Sequence, residues 1–267
     1  MSIADSLEKI EDICSDNYIG NPYIVGGIPR DIFLNRKNDF RDIDITTNTP
    51  DIIRLAVSFG IDTNSYFKVF ADKHVSVYHE SGTFDFSSNF VSEEVEKYLN
   101  QSSIAHSKEL LEVYSRDFTI NTLHKKFFEE DLIDPIGSAK KDLDSKIIKT
   151  CVPANITFSD DPRRIFRAIN FASRLSFSID GEIIDYVKNN RSEIIHRNRE
   201  VLKESFISSA ISSSISEDPE ITIGYLEDMG ILSVVPLVGL FKDEIIKRRL
   251  VTRYLDNLKE VHPLHAI

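Results

Sequence analysis

Apolar residues recur with mixed periods in the first half of the chain and with a helical period in the second. Leu7, Ile10 and Ile13 share one face of a helix predicted over residues 4–17. Asn21-Pro22 then marks a turn into a brief apolar strand at 23–25, which ends at Gly26-Gly27. Pro29 suits the first helical turn, where its missing N–H costs nothing, so residues 28–35 read as a helix. Residues 42–46 alternate acidic and apolar, the period of a strand with one wet face. Asn48-Thr49-Pro50 caps a helix over 51–59, and strands follow at 67–69, 75–79 and 83–86, with Ser81-Gly82 turning between the last two. The polar stretch 87–111 reads as a mobile segment, 117–125 as helical, and 132–137 as a strand and turn. From about residue 143 strand signals fade, and helices are predicted at 162–175, 182–189, 199–213, 221–229 and 242–258. The serine-rich stretch 208–216 reads as a helix end and loop rather than an interdomain linker. The expected class is α+β: a head over residues 1–142 with a small mixed sheet, then an all-helical region over 143–267, without internal repeats.

Composition narrows the partners. At 267 residues the chain is long enough for more than one core. A net charge of −11 argues against a broadly basic, non-specific nucleic-acid binder. It leaves RNA open as a substrate, because the basic segments 163–174, 191–203 and 247–253 all lie in the second half. No run of 18 apolar residues appears, so no membrane partner is expected, and the acidic, amphipathic N-terminus does not resemble a signal peptide. Cys14 and Cys151 lack metal-ligand spacing, which points to a reducing compartment and a cytoplasmic location.

The chemistry concentrates in residues 23–48. Strand alternation points Asp42 and Asp44 to one side, with Ile43 and Ile45 directed into the core. Two carboxylates on one face can hold one or two Mg²⁺ ions, although an Asp-x-Asp also fits a solvated strand edge. An EF-hand is excluded by the absence of its later glycine and glutamate. Gly26-Gly27, between a strand and a helix start, lets backbone N–H groups approach an anion, whereas elsewhere it would be only a turn. Arg30 could clamp a phosphate oxygen, with Asp31 orienting it or a loop. Neither a Walker lysine loop nor a Rossmann glycine pattern is present.

GGIPRD followed by RDIDITT resembles the head-domain signature of the class II nucleotidyltransferases, which comprise bacterial-type CCA-adding enzymes and bacterial poly(A) polymerases. The resemblance continues in order through SRDFTINTL at 115–123, LIDPIGSAKKDL at 132–143 and DDPRRIFRAINFASRLSF at 160–177. It is weaker in HRNREVLKE at 196–204 and YLEDMGILSVVPL at 225–237, and it covers roughly residues 20–240. It implies a polymerase-beta-like head followed by a helical neck and a shortened body. Asp42 and Asp44 would then be the catalytic, metal-binding carboxylates, supported by Asp85, with Mg²⁺ as cofactor. Gly26, Gly27 and Arg30 would hold the triphosphate, and Arg116, Asp117 and Asn121 the ribose and phosphates; read alone, Asp117 is a helix cap. Asp134, Pro135, Gly137 and Asp142 match a segment that couples the head to the following helices.

By the same resemblance Asp161 and Arg164 would read the base, with Arg167 one turn further on. Three residues apart on a helix, Asp161 and Arg164 would share a face, and a carboxylate beside a guanidinium can imitate a pairing partner for cytosine or adenine; the same pair could be a surface ion pair. The implied activity is template-independent transfer of CMP or AMP from CTP or ATP to an RNA 3′ end, foremost the tRNA CCA terminus. The alternatives are poly(A) synthesis, addition of only CC or A, or a non-catalytic RNA-binding role. Pro29, Ser115, Asn170, Lys73-His74, Phe90 and His196 depart from the family pattern and bear on nucleotide choice and RNA handling. Members usually continue well beyond Lys247-Arg248-Arg249, so either a truncated or a compact form is expected.

Overall fold

The acidic-apolar alternation at 42–46 forms the strand that organises the head. In the computed structural model, which describes residues 1–36, 41–47, 51–70, 74–87, 91–197, 201–232 and 252, that strand is β2 (Asp42–Thr47) of a seven-stranded sheet. The others are β1 (Pro22–Ile24), β3 (Tyr66–Val69), β4 (Val75–His79), β5 (Gly82–Phe86), β6 (His124–Lys126) and β7 (Leu132–Ile133), in the order β3-β4-β5-β2-β1-β6-β7. Only β2 and β5 pair in parallel, so the sheet is mixed, as expected. Ile43 and Ile45 are buried beneath β2, whereas Asp42 and Asp44 face outward.

Two helices cover the apolar face. On α1 (Ile3–Asp16), Leu7, Ile10 and Ile13 are buried together, and Ser2 caps the N-terminus reciprocally with Asp5. On α3 (Ile52–Asp62), Leu55, Ala56 and Phe59 are buried, and the Phe59 ring meets the edge of Phe84 at 5.2 Å. Each large side chain so buried contributes roughly 1.5–3 kcal/mol before entropy is counted. The short α2 (Gly27–Phe33) leaves β1 directly and leads back towards β2.

Two expectations in the head need correction. Residues 87–111 are not one mobile stretch: α4 (Glu93–Gln101) and α5 (Lys108–Tyr114) lie there or begin there, capped by Ser92 and Ser107 and anchored by buried Val95, Leu99, Leu111 and Val113. Residues 117–125 are not a helix. The Asp117 carboxylate accepts from Phe118 N and Asn121 Nδ2, which favours a 3₁₀ turn at Thr119–Asn121, and β6 follows. After β7 comes α6 (Ala139–Asp144).

The chain divides into two compact units, Met1–Ser145 and Lys146–Ile267. Among its described residues the second is helical, as expected, apart from one parallel pair, β8 (Ile147–Ile148) with β9 (Ser178–Ile179). Its helices are α7 (Ala154–Asp160), α8 (Arg164–Leu175), α9 (Gly181–Arg197), α10 (Glu204–Glu217) and α11 (Pro219–Asp228). α8 packs on α10 and α11, with Phe166 edge-on to Phe206 at 6.1 Å and Ser173 bonded to Thr222 at 2.8 Å. The serine-rich stretch lies inside α10 rather than in a loop. Ser214 and Ser216 donate to the carbonyls of Ala210 and Ser212, which satisfies their hydroxyls within the helix. α9 extends past the predicted end at 189, and α10 begins at Glu204 rather than 199. The helix predicted at 242–258 falls outside the described residues except for Thr252. Among the described residues, no helix is long and apolar enough to cross a membrane.

Candidate active site

The parallel pairing of β2 with β5 brings a third carboxylate to the Asp42–Asp44 face: Asp44 stands opposite Asp85, and Asp42 opposite Thr83. β1 supplies the adjoining turn, with Val25 N donating to Asp44 O at 3.0 Å. Gly26 follows at φ +72°, where a side chain is strained, and a Cβ on it would lie 2.6 Å from Asp44 Oδ2. Glycine therefore keeps open the space beside the catalytic candidate. Gly27 begins α2.

Asp44 reaches solvent but sits in a recess with protein close around its carboxyl. That partial burial, followed by the charge of Asp85, pushes its pKa up to about 6; Asp42 adds to the rise, while Arg116 and His74 oppose it. Asp85 Oδ1 accepts from Ser76 Oγ and lies 3.2 Å from His74 Nε2. Arg116 projects Nη2 to 3.6 Å from Glu112 and Nη1 to 3.5 Å from Asn121 O, and its buried Nε has no hydrogen-bond partner among the described residues.

Arg30 is 2% exposed, which differs from a phosphate clamp held out to solvent. Its Nε donates to Asp31 and its Nη1 to Asn121 Oδ1, both at 2.9 Å, and Asn121 Nδ2 donates in turn to Asp117 at 3.1 Å. This chain of bonds ties α2 to the turn that carries Asp117. Asp142 accepts from Thr119 Oγ1 at 2.7 Å and so fixes the same turn to α6, while Asp134 accepts from Lys140 N at 3.0 Å.

The donor set fits a hard divalent cation. It is all oxygen, its negative charges add to the burial that lifts Asp44, and a glycine replaces any side chain beside Asp44 Oδ2. Among the described residues, no three His, Cys, Asp or Glu side chains stand close enough to enclose an ion by themselves. A cavity of about 690 Å³ lined by Glu11, Cys14, Tyr18, Lys126 and Phe128, among others, contains none of the expected site residues.

In the second unit Asp161 and Arg164 do not share a helical face. Asp161 is extended ahead of Pro162, and α8 starts only at Arg164. Arg163 takes the Asp161 carboxylate: its backbone N and Nε lie 2.9 Å from Oδ1, and its Nη2 2.9 Å from Oδ2. Arg164 is buried, with Nη2 3.3 Å from Asp160. Arg167 lies over the Phe171 ring at 5.5 Å. Asn170 bonds Ser213 and Ser214 of α10, so a position that departs from the family arginine joins two helices here.

Some of these contributors were not anticipated. Ser115 bonds Ser92 N and so supports the cap of α4. His74 and Ser76 meet Asp85, and their signal was the Ser81-Gly82 turn, since folding the predicted strands about it sets Ser76 opposite Asp85. Phe90 lies outside the described residues, as do Lys73 and the His196 side chain.

A mixed sheet with two outward aspartates on one central strand and a glycine turn beside them defines a nucleotidyltransferase-type head. Residues 22–149 match the family described as "Poly A polymerase head domain". The head, residues 22–149, is thus similar to that of the class II nucleotidyltransferases. It is 32% identical over 176 residues to the CCA-adding enzyme of Geobacillus sp. (strain WCH70), covering 65% of this chain and 41% of that one. It is 35% identical over 173 residues to the A-adding tRNA nucleotidyltransferase of Geobacter sulfurreducens, covering 62% and 19% respectively. The chain thus spans less than half the length of either relative. The fold is also that of the Bacillus stearothermophilus CCA-adding enzyme in complex with CTP, with a TM-score of 0.68 at 19% identity over 94% of this chain and 58% of that one.

Proposed function

We propose that the chain transfers CMP or AMP from CTP or ATP to an RNA 3′ end without a template, foremost to the tRNA CCA terminus, in the cytoplasm. The observation that carries this reading is the β2–β5 register, which sets Asp85 beside Asp44 on the strand that also bears Asp42. Residues 1–142 act as the catalytic head, and residues 143–267 as neck and body carrying the base-reading helix.

The RNA 3′-oxygen attacks the α-phosphorus of the nucleoside triphosphate, the bond to pyrophosphate breaks, and the hydroxyl proton leaves to solvent or a carboxylate. Asp42, Asp44 and Asp85 would hold Mg²⁺, which when bound neutralises triphosphate charge and lowers the pKa of the attacking hydroxyl. Gly26 and Gly27 let the triphosphate approach the backbone. Arg116, whose side chain is partly exposed, offers its guanidinium charge to a phosphate oxygen. Arg30 acts through Asn121 and Asp117, holding the turn that meets the ribose. Asp161, Arg164 and Arg167 read the base, the carboxylate accepting from the exocyclic amine of cytosine or adenine.

The test is incubation of the chain with Mg²⁺, a tRNA lacking CCA, and CTP, ATP or both. Addition that stops after CCA supports the reading. Addition of A alone would move the chain to the activity named for the Geobacter relative, and long A tails on unrelated RNA would make it a poly(A) polymerase. No addition by the intact chain, or unchanged addition by Asp42→Ala, would overturn the enzyme assignment.

A further inference from the structure

The third carboxylate is held in an unusual way for a residue on an open sheet face. Ser76 lies directly across the antiparallel β4–β5 register from Asp85 and donates its hydroxyl to Oδ1. His74 Nε2 lies 3.2 Å from the same oxygen and 3.1 Å from Ser76 Oγ. A carboxylate only accepts, so a hydrogen bond at this distance assigns the proton to Nε2. Asp85 Oδ2 receives no hydrogen bond among the described residues. The side chains of His74 and Asp85 are 31% and 30% exposed, so the pair is reachable from solvent.

The imidazole is itself held in place. Its ring stacks on Phe70 with centroids 4.6 Å apart and planes 7° from parallel, and Phe70 N donates to His74 O at 2.8 Å, closing the ends of β3 and β4. Lys68 Nζ lies 4.6 Å from the Phe70 centroid. The imidazole plane is thereby set by the stack, and two donors converge on one carboxylate oxygen. Two bonds to Oδ1 fix both side-chain torsions of Asp85, which also determines where Oδ2 points.

We propose that His74 and Ser76 are positioning residues of the transfer site: by gripping Asp85 Oδ1 they present Oδ2 for cation binding together with Asp42 and Asp44. The proposal rests on the reading that these three carboxylates hold the divalent ion. Groups that orient a ligating side chain typically change metal affinity or activity by about tenfold or more when removed. Neither residue touches the reacting atoms; each acts through Asp85.

The experiment uses the full chain with Mn²⁺ as probe, its binding followed by electron paramagnetic resonance without nucleotide, alongside transfer kinetics. Ser76→Ala deletes one donor. His74→Phe keeps an aromatic ring to stack on Phe70 and deletes the other, while His74→Gln restores an N–H donor. Ser76→Ala and His74→Phe should each weaken Mn²⁺ binding and lower kcat by about tenfold, with the KM for CTP changed less than about twofold. His74→Gln should recover most of both. Unchanged Mn²⁺ affinity in the Ser76→Ala/His74→Phe double variant would overturn the proposal. So would equal affinities for His74→Phe and His74→Gln, a comparison that stands even if the double variant folds poorly. A wild-type chain that binds Mn²⁺ but transfers no nucleotide would remove the proposed function, and the Mn²⁺ series would still judge His74 and Ser76.

Discussion

Two residues show how single positions set the chemistry and the stability of the head. Gly26 combines a left-handed backbone, φ +72°, with a space that Asp44 Oδ2 would contest at 2.6 Å. Gly26→Ala should therefore do more harm to transfer than to folding. The strain costs about 1 kcal/mol, a shift of a few degrees in Tm, whereas displacing a carboxylate of the proposed metal site by about 1 Å should lower kcat by roughly a hundredfold. Parallel thermal melts and single-turnover transfer would separate the two effects. His124 is 9% exposed, lies 5.5 Å from the Tyr23 ring and leaves Nε2 without a partner among the described residues. Burial, helped by the charge of Arg116, pushes its pKa from 6.5 down to about 4. Between those values the unfolded chain binds the proton and the folded chain does not. The stability that neutral His124 confers is therefore complete above about pH 6.5, declines as the pH falls, and is gone near pH 4, amounting to about 3 kcal/mol at most. Urea midpoints at pH 7.5 and 4.5 should fall further in the wild type than in His124→Leu; equal losses would contradict this account.

At the scale of elements, α8 carries a correctable strain at its end. Ser176, its C-cap, adopts φ 55° and ψ 45°, the left-handed conformation that glycine takes without penalty. Ser176→Gly should raise stability by about 0.5–1 kcal/mol, visible as a higher urea midpoint at unchanged slope. α8 itself and β2 are readable from the sequence because their periods persist over several residues and their apolar faces are buried. The two short helices within 87–114 are not, since each offers only one pair of anchors, Val95 with Leu99 and Leu111 with Val113, amid polar residues. Residues 117–125 carry helical composition, yet a single carboxylate, Asp117, bonds Phe118 N and Asn121 Nδ2 and turns the chain instead. The Asp42–Asp44 face follows from strand alternation alone. The partners of Asp85 depend on cross-strand register, and the partner of Asp161 depends on where α8 begins, which Pro162 shifts beyond the reach of a simple i,i+3 count.

For the whole molecule, the proposed labour is divided between the two compact units, with reaction in Met1–Ser145 and base choice in Lys146–Ile267. The division makes two kinds of variant separable. Asp44→Asn removes a charge from the carboxylate cluster and should reduce CMP and AMP transfer alike, by about a thousandfold or more, because positioning and charge neutralisation supply most of the rate in phosphoryl transfer. Asp161→Asn leaves that cluster untouched but replaces a pure acceptor with a side chain that can also donate. It also weakens the hold of Arg163, whose guanidinium now covers both carboxylate oxygens, so a base that reads Asp161 must share or displace that contact. The expected result is a changed ratio rather than a dead enzyme. Relative kcat/KM for CTP over UTP should fall by roughly tenfold or more, the scale of one lost discriminating contact at about 1–3 kcal/mol, while total transfer with the preferred nucleotide remains measurable. A uniform loss across all nucleotides in Asp161→Asn would place that residue with the reaction rather than with base choice and would end the proposed division.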